Sequence, residues 1–197
     1  MNKDKFCKRF TLMLVAIVLI FFLVLIAPNV YAAIDPNQVA VGEYSMELYE
    51  MWTHNTRNSQ KMTYMDYRAI TDTSSKQYQL QQDPYCVVNE QGFLMYRDNW
   101  YVVAMGSYWG KVGDKLVVYL KNGEIIPVII GDIKADRHTD EQNYAHASDG
   151  HVIEFLIDSG NSHMRKVEMS KHGLVNKVFK QFDSKIVGIC RIEEKFG

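Results

Sequence analysis

Between Gly131 and His151 the chain gathers Asp132, Lys134, Asp136, His138, Asp140, His146, Asp149 and His151. If this segment is extended, Asp136, His138 and Asp140 share one face, because strand side chains alternate. Three chemistries fit such a set. A carboxyl group raised by partial burial can protonate a glycosidic oxygen and later take a proton back. Asp132 stands where an apolar run meets the polar loop, the right place for that shift. Asp and His side chains also suit zinc or a harder divalent cation, although the sequence offers no compact ligand spacing. The third reading is a solvated turn whose polar side chains bond the local backbone. Lys134 beside Asp132 holds that carboxylate ionised, which fits a binding site better than a general acid. No Ser-His-Asp or nucleophilic Cys arrangement stands out, and no metal or cofactor is assigned.

Aromatic residues come next. Trp100, Tyr101 and Trp109 could stack on sugar rings or pack a core. Trp109 falls in a Gly-flanked turn, Tyr108-Trp109-Gly110, and is the better platform for a ligand. His54, His163 and His172 are isolated and receive no role. Cys86 and Cys190 either pair or sit as two separate thiols, since spacing in sequence does not give distance.

The elements that must position these residues read mainly as β. Tyr101–Met105, Lys115–Leu120, Ile125–Ile130, His151–Asp158 and Lys185–Ile192 are short apolar runs rich in β-branched residues,. Asn122-Gly123 predicts a tight hairpin with both turn residues at positive φ. Ser170 to Phe182 predicts one short helix, and Tyr44, Leu48 and Met51 place another between Glu43 and Trp52,. His54 to Ser59 reads as loop. Around Thr71–Ser75, a turn, the tyrosines Tyr64, Tyr67 and Tyr78 suggest strand or irregular packing. Short strands separated by Gly turns point to a small barrel.

The amino terminus differs in composition. Lys3, Lys5, Lys8 and Arg9 precede an uncharged run from Thr11 to Ala27, then Pro28 and the small residues of Val30-Tyr31-Ala32 before Ala33. Cationic first and apolar second is the order of a secretory signal peptide, or of an anchor that keeps its N-terminus inside. Either places residues 34–197 outside, with the membrane as a partner through residues 11–27 if the segment is retained. Cys7 precedes the apolar run and is not placed as a lipid acceptor. The expected organisation is a signal or anchor over 1–33, a linker and extension over 34–97, and a domain over 98–197. The net charge of −1, without a basic stripe, argues against nucleic acid,. With 12 Tyr, 9 Phe and 3 Trp the chain can fill a core.

Gly113-Asp114, Asn122-Gly123, Gly131-Asp132-Ile133-Lys134-Ala135 and Val152-Ile153-Glu154-Phe155 together resemble a divergent double-psi β-barrel of the type named for three aspartates. That family occurs in lytic transglycosylases and exported cell-wall proteins of Gram-positive bacteria. Asp132 matches its first Asp, Ile133-Lys134-Ala135 its Ile-Lys-Gly step, and Glu154 the Asp of its Arg-Ile-Asp-Leu-Phe-like strand. The Gly-Gly that follows the first Asp in the family is missing, and a His-Thr-Asp loop is inserted. The resemblance covers about residues 100–192. It implies a six-stranded double-psi-like barrel with one or two short helices, behind an N-terminal hydrophobic helix. It also implies a peptidoglycan-like glycan as partner, bound and, if the protein is an enzyme, cleaved. Asp132 and Glu154 would then be catalytic, and Lys134, Asp136, His138, Asp140 and Trp109 would bind substrate. A non-catalytic envelope scaffold or surface-complex component is the alternative.

Overall fold

The computed structural model describes residues 60–97, 100–169 and 173–192. The expected signal or anchor, the helix at Glu43–Trp52 and the loop at His54–Ser59 lie outside them. Among the described residues no helix is long and apolar enough to cross a membrane.

The described chain is mainly β, with a sheet of eight strands. These are β1 (Thr63–Asp66), β2 (Cys86–Val88), β3 (Leu94–Tyr96), β4 (Trp100–Met105), β5 (Lys115–Leu120), β6 (Ile125–Ile133), β7 (Glu154–Ile157) and β8 (Ile186–Ile192). The main path runs β1-β7-β4-β6-β5-β8, and β3 joins β2 to β4. The expected six-stranded closed barrel is therefore corrected to an open sheet, because no ladder joins β1 to β8 among the described residues. The physical reason lies on one edge of β4. Its first half pairs with β3, at Tyr101 with Met95, and its second half with β7, at Val103 with Phe155. β6 runs parallel along the other edge. The apolar runs do form strands, but they are spent in a branched path instead of a ring. All described residues belong to one compact unit, so strands from both sides of residue 97 share the sheet.

Among the described residues three α-helices accompany the sheet: α1 (Lys76–Gln81), α2 (Ser162–Met169) and α3 (Val175–Val178). Ser75 caps α1, its hydroxyl accepting from the Tyr78 N–H, which satisfies one of the donors a helix start leaves open,. The single helix expected over 170–182 is, within the described residues, the one-turn α3 followed by a 3-10 turn at Lys180–Phe182. The β5–β6 hairpin also differs in detail. The Leu120 N–H bonds the Glu124 carbonyl across a three-residue loop, and only Gly123, at φ 91°, takes positive φ. Asn122 instead accepts from the Glu124 N–H and donates to the Gln181 carbonyl.

One sheet face carries the aromatic core. Phe93, Tyr101, Phe155 and Phe182 meet edge to face or stacked, with centroids 5.0–5.8 Å apart, a geometry that adds to plain area burial. Alternation then sends the next rung the other way. That rung holds Ala104, paired with Glu154 on one side and Asp132 on the other. A bulge brings Asp132 into place, for Val103 pairs with Ile130 and Ala104 with Asp132, leaving Gly131 over. A Cβ on Gly131 would lie 2.2 Å from Val102 Cγ1, so only glycine fits this crossing,.

Candidate functional site

Asp132 is the last residue but one of β6 and Glu154 begins β7, with the small Ala104 of β4 between them. Two strand spacings separate their backbones by about 10 Å, and the Ala104 methyl floors the gap. Lys134, two residues past Asp132, shares its face. Its Nζ stands 4.0 Å from Glu154 Oε2 and has no hydrogen-bond partner, while only 5% of its side chain is exposed. The strand ending therefore delivers an acid, an amine and an acid to one partly buried patch.

Burial dominates the electrostatics here. It raises the Asp132 carboxyl above its ordinary range, against the Ile133 N–H, the Gln77 side chain of α1 and the charge of Lys134. It raises Glu154 too, with Lys134 pulling the other way and Asp132 and Asp149 adding repulsion. Lys134 is lowered to about 8, because burial outweighs attraction to Glu154, Asp149 and Asp132,. Carboxyls raised by burial, beside an amine lowered by it, are the kind of arrangement found where side chains exchange protons.

The remaining residues singled out in the sequence sit elsewhere. Asp136 and His138 lie in a 3-10 turn instead of an extended segment, so they do not share a strand face with Asp140. Asp136 is exposed and accepts from the Ser107 hydroxyl, and His138 accepts from Arg137 Nε. Asp140 caps a turn, taking the Tyr144 N–H at 2.7 Å. Trp109, read as a ligand platform, is corrected to a core residue. It is 5% exposed, its indole N–H donates to the Tyr144 carbonyl, and its ring packs on Tyr108 and Tyr144. Neither Cys86 nor Cys190 is in a disulfide.

His146, Asp149 and His151, part of the Asp/His set read for a metal but given no individual role, form a second group. Their ligand atoms lie within 4.8 Å of one another. His151 Nδ1 meets Asp149 Oδ1 at 2.5 Å, and Lys61 Nζ holds Asp149 Oδ2 at 2.7 Å. Burial draws the Asp149 carboxyl upward, yet the Lys61 and His151 bonds outweigh it and keep that carboxyl well below its usual range. His151, buried and near Lys134, falls to about 4 and is neutral at pH 7. No compact ligand spacing is legible in the sequence here, because the three are brought together only by the loop folding back on itself.

Fold and site together define a mainly β domain with an acid–amine–acid patch on one sheet face. No family model, curated protein or solved structure matches the chain.

Proposed function

We propose that the chain is an exported cell-envelope protein whose Asp132–Glu154 patch binds a peptidoglycan-like glycan and cleaves it by acid–base chemistry. One observation carries the reading: both carboxyls flank Ala104 on the same rung, and burial raises both. A carboxyl kept protonated donates its proton to the leaving glycosidic oxygen. Of the two, Asp132 is the general acid, since Glu154 has Lys134 at 4.0 Å to favour its charged form. In a lytic reaction the sugar's own 6-hydroxyl would then close an anhydro ring, and the same carboxylate would take its proton. Export rests on the cationic and then apolar order of the first 33 residues,. The motif resemblance around Asp132 and Glu154 supports the substrate class, independently of the barrel that the fold does not form.

The second reading, a non-catalytic envelope component, is favoured by the buried Lys134, whose charge opposes protonation of its neighbours. Incubating the purified chain with sacculi, wild type against Asp132→Asn and Glu154→Gln, separates the two. Release of anhydro-muropeptides that drops about 100-fold or more in Asp132→Asn supports catalysis. Retention on sacculi without release supports the scaffold. Neither retention nor release rejects the glycan.

A further inference from the structure

The loop between β6 and β7 is closed on itself at its neck. The His146 N–H bonds the His151 carbonyl at 2.9 Å, the Gly150 N–H returns to the His146 carbonyl at 2.8 Å, and Gly150 takes φ 71° to make the turn. This places two imidazoles side by side, ring centroids 4.8 Å apart, with Asp149 reaching back between them. Asp149 Oδ1 lies 2.5 Å from His151 Nδ1 and 3.3 Å from His146 Nδ1. Ala147 N–H bonds the His138 carbonyl and Thr139 bridges His146, so the loop is tied at its base as well.

We propose that His146, Asp149 and His151 form a binding site for one divalent cation of the zinc class, with Nδ1 of each imidazole and Oδ1 of the carboxylate as ligands. Three borderline donors from one short loop are the ligand type and number that such a cation takes in an open site, the fourth position being left to water. In a tetrahedral zinc site, bonds of about 2.0–2.1 Å put ligand atoms about 3.3 Å apart. The His146–Asp149 separation already has that value, and the His151–Asp149 pair opens by less than an ångström when the shared proton leaves.

Burial holds the His151 ring in one place behind the loop. His151 is 5% exposed, and its Nε2 is buried with no hydrogen-bond partner. Its hydrogen bond runs through Nδ1 to Asp149, so Nδ1 is the nitrogen turned toward the loop. Lys61 supplies the outer support usual at such sites, fixing Oδ2 so that Oδ1 faces the imidazoles,. The site does not depend on the glycan reading, for none of its ligands belongs to the Asp132–Glu154 pair.

The test uses the untagged full-length chain in detergent, stripped with a chelator. Zinc is titrated against a chromophoric competitor, and cobalt(II) is added separately to read its ligand-field absorption. The expected result is one zinc per chain, a tetrahedral cobalt spectrum, and affinity reduced by about 10-fold or more in His146→Ala and in Asp149→Asn. His146 is part-exposed, so that variant keeps its fold, and metal-free thermal melts of both variants check this. His163→Ala, in α2, leaves affinity unchanged. No zinc bound by the wild type, or equal affinity in wild type, His146→Ala and Asp149→Asn, overturns the site.

Discussion

Lys134 makes the sharpest quantitative demand on the fold. Burial lowers its amine from 10.5 to about 8, so the folded state holds its proton less tightly than the unfolded chain. Between those values the unfolded state binds more protons, and stability therefore rises with pH. The proton costs the fold little above the unfolded value and most below the folded one. Worked through the linkage relation, the two values give a gain of about 2.5 kcal/mol on going from pH 7 to pH 10. Other groups titrate over the same range, so the comparison is with Lys134→Met, which keeps the stem and removes the charge. Urea unfolding of both proteins at the two pH values isolates the effect, for background titrations cancel in the difference. The stability of wild type relative to Lys134→Met should climb by about 2–3 kcal/mol between the two conditions. Two parallel pH curves would refute the reasoning, and would mean that Lys134 reaches water or a full counter-charge.

Other expectations follow from single contacts. Trp109→Ala removes a buried indole and should cost about 3–5 kcal/mol in urea unfolding, whereas an exposed sugar platform would cost almost nothing. Gly106→Ala would put a Cβ 1.9 Å from the backbone oxygen of Asn143; the loop must move, and a loss of at least about 1–3 kcal/mol should appear in the same assay. Asp66 accepts from Arg68 and Ser159, and these bonds hold its carboxyl far below the ordinary 3.8. Asp66→Ala should cost about 1.5–3 kcal/mol at neutral pH. That gap is fully present above 3.8 and shrinks as pH falls below it, because the unfolded wild type then binds a proton that the folded carboxyl still refuses,; acid-titrated melts of both proteins read it.

What was legible in the sequence follows from how densely each segment carries its pattern. β4, β5, β6 and β8 are built on apolar, β-branched runs that only strands bury well; β6 runs three residues past its run, to Ile133, and Lys115–Leu120 matches its strand end to end,. β2 and β3 are three residues each and too short to show a period. β1 hides in a tyrosine-rich stretch whose pairing partner, β7, lies far along the chain. α2 escaped notice because its residues, Ser-His-Met-Arg-Lys-Val-Glu-Met, carry no continuous apolar stripe. Asp132 could be singled out because an apolar run stops there. Its pairing opposite Ala104 and Glu154 could not, since it depends on a bulge and on which strands share β4. Trp109 misled for the opposite reason: glycines mark a turn, but they do not say which way its side chain turns.

The partnership of Thr63–Asp66 with Glu154–Ile157 has a consequence for how the chain comes into being. At about 5–20 residues per second, the earlier of these segments waits roughly 5–20 s after synthesis before its mate exists. During that interval the lower half of Trp100–Met105 has only one flank covered as well, because the same late segment closes the other. A product stalled or cleaved anywhere before Glu154 keeps both of these raw edges. Such fragments should clump or be degraded instead of accumulating as a smaller stable piece.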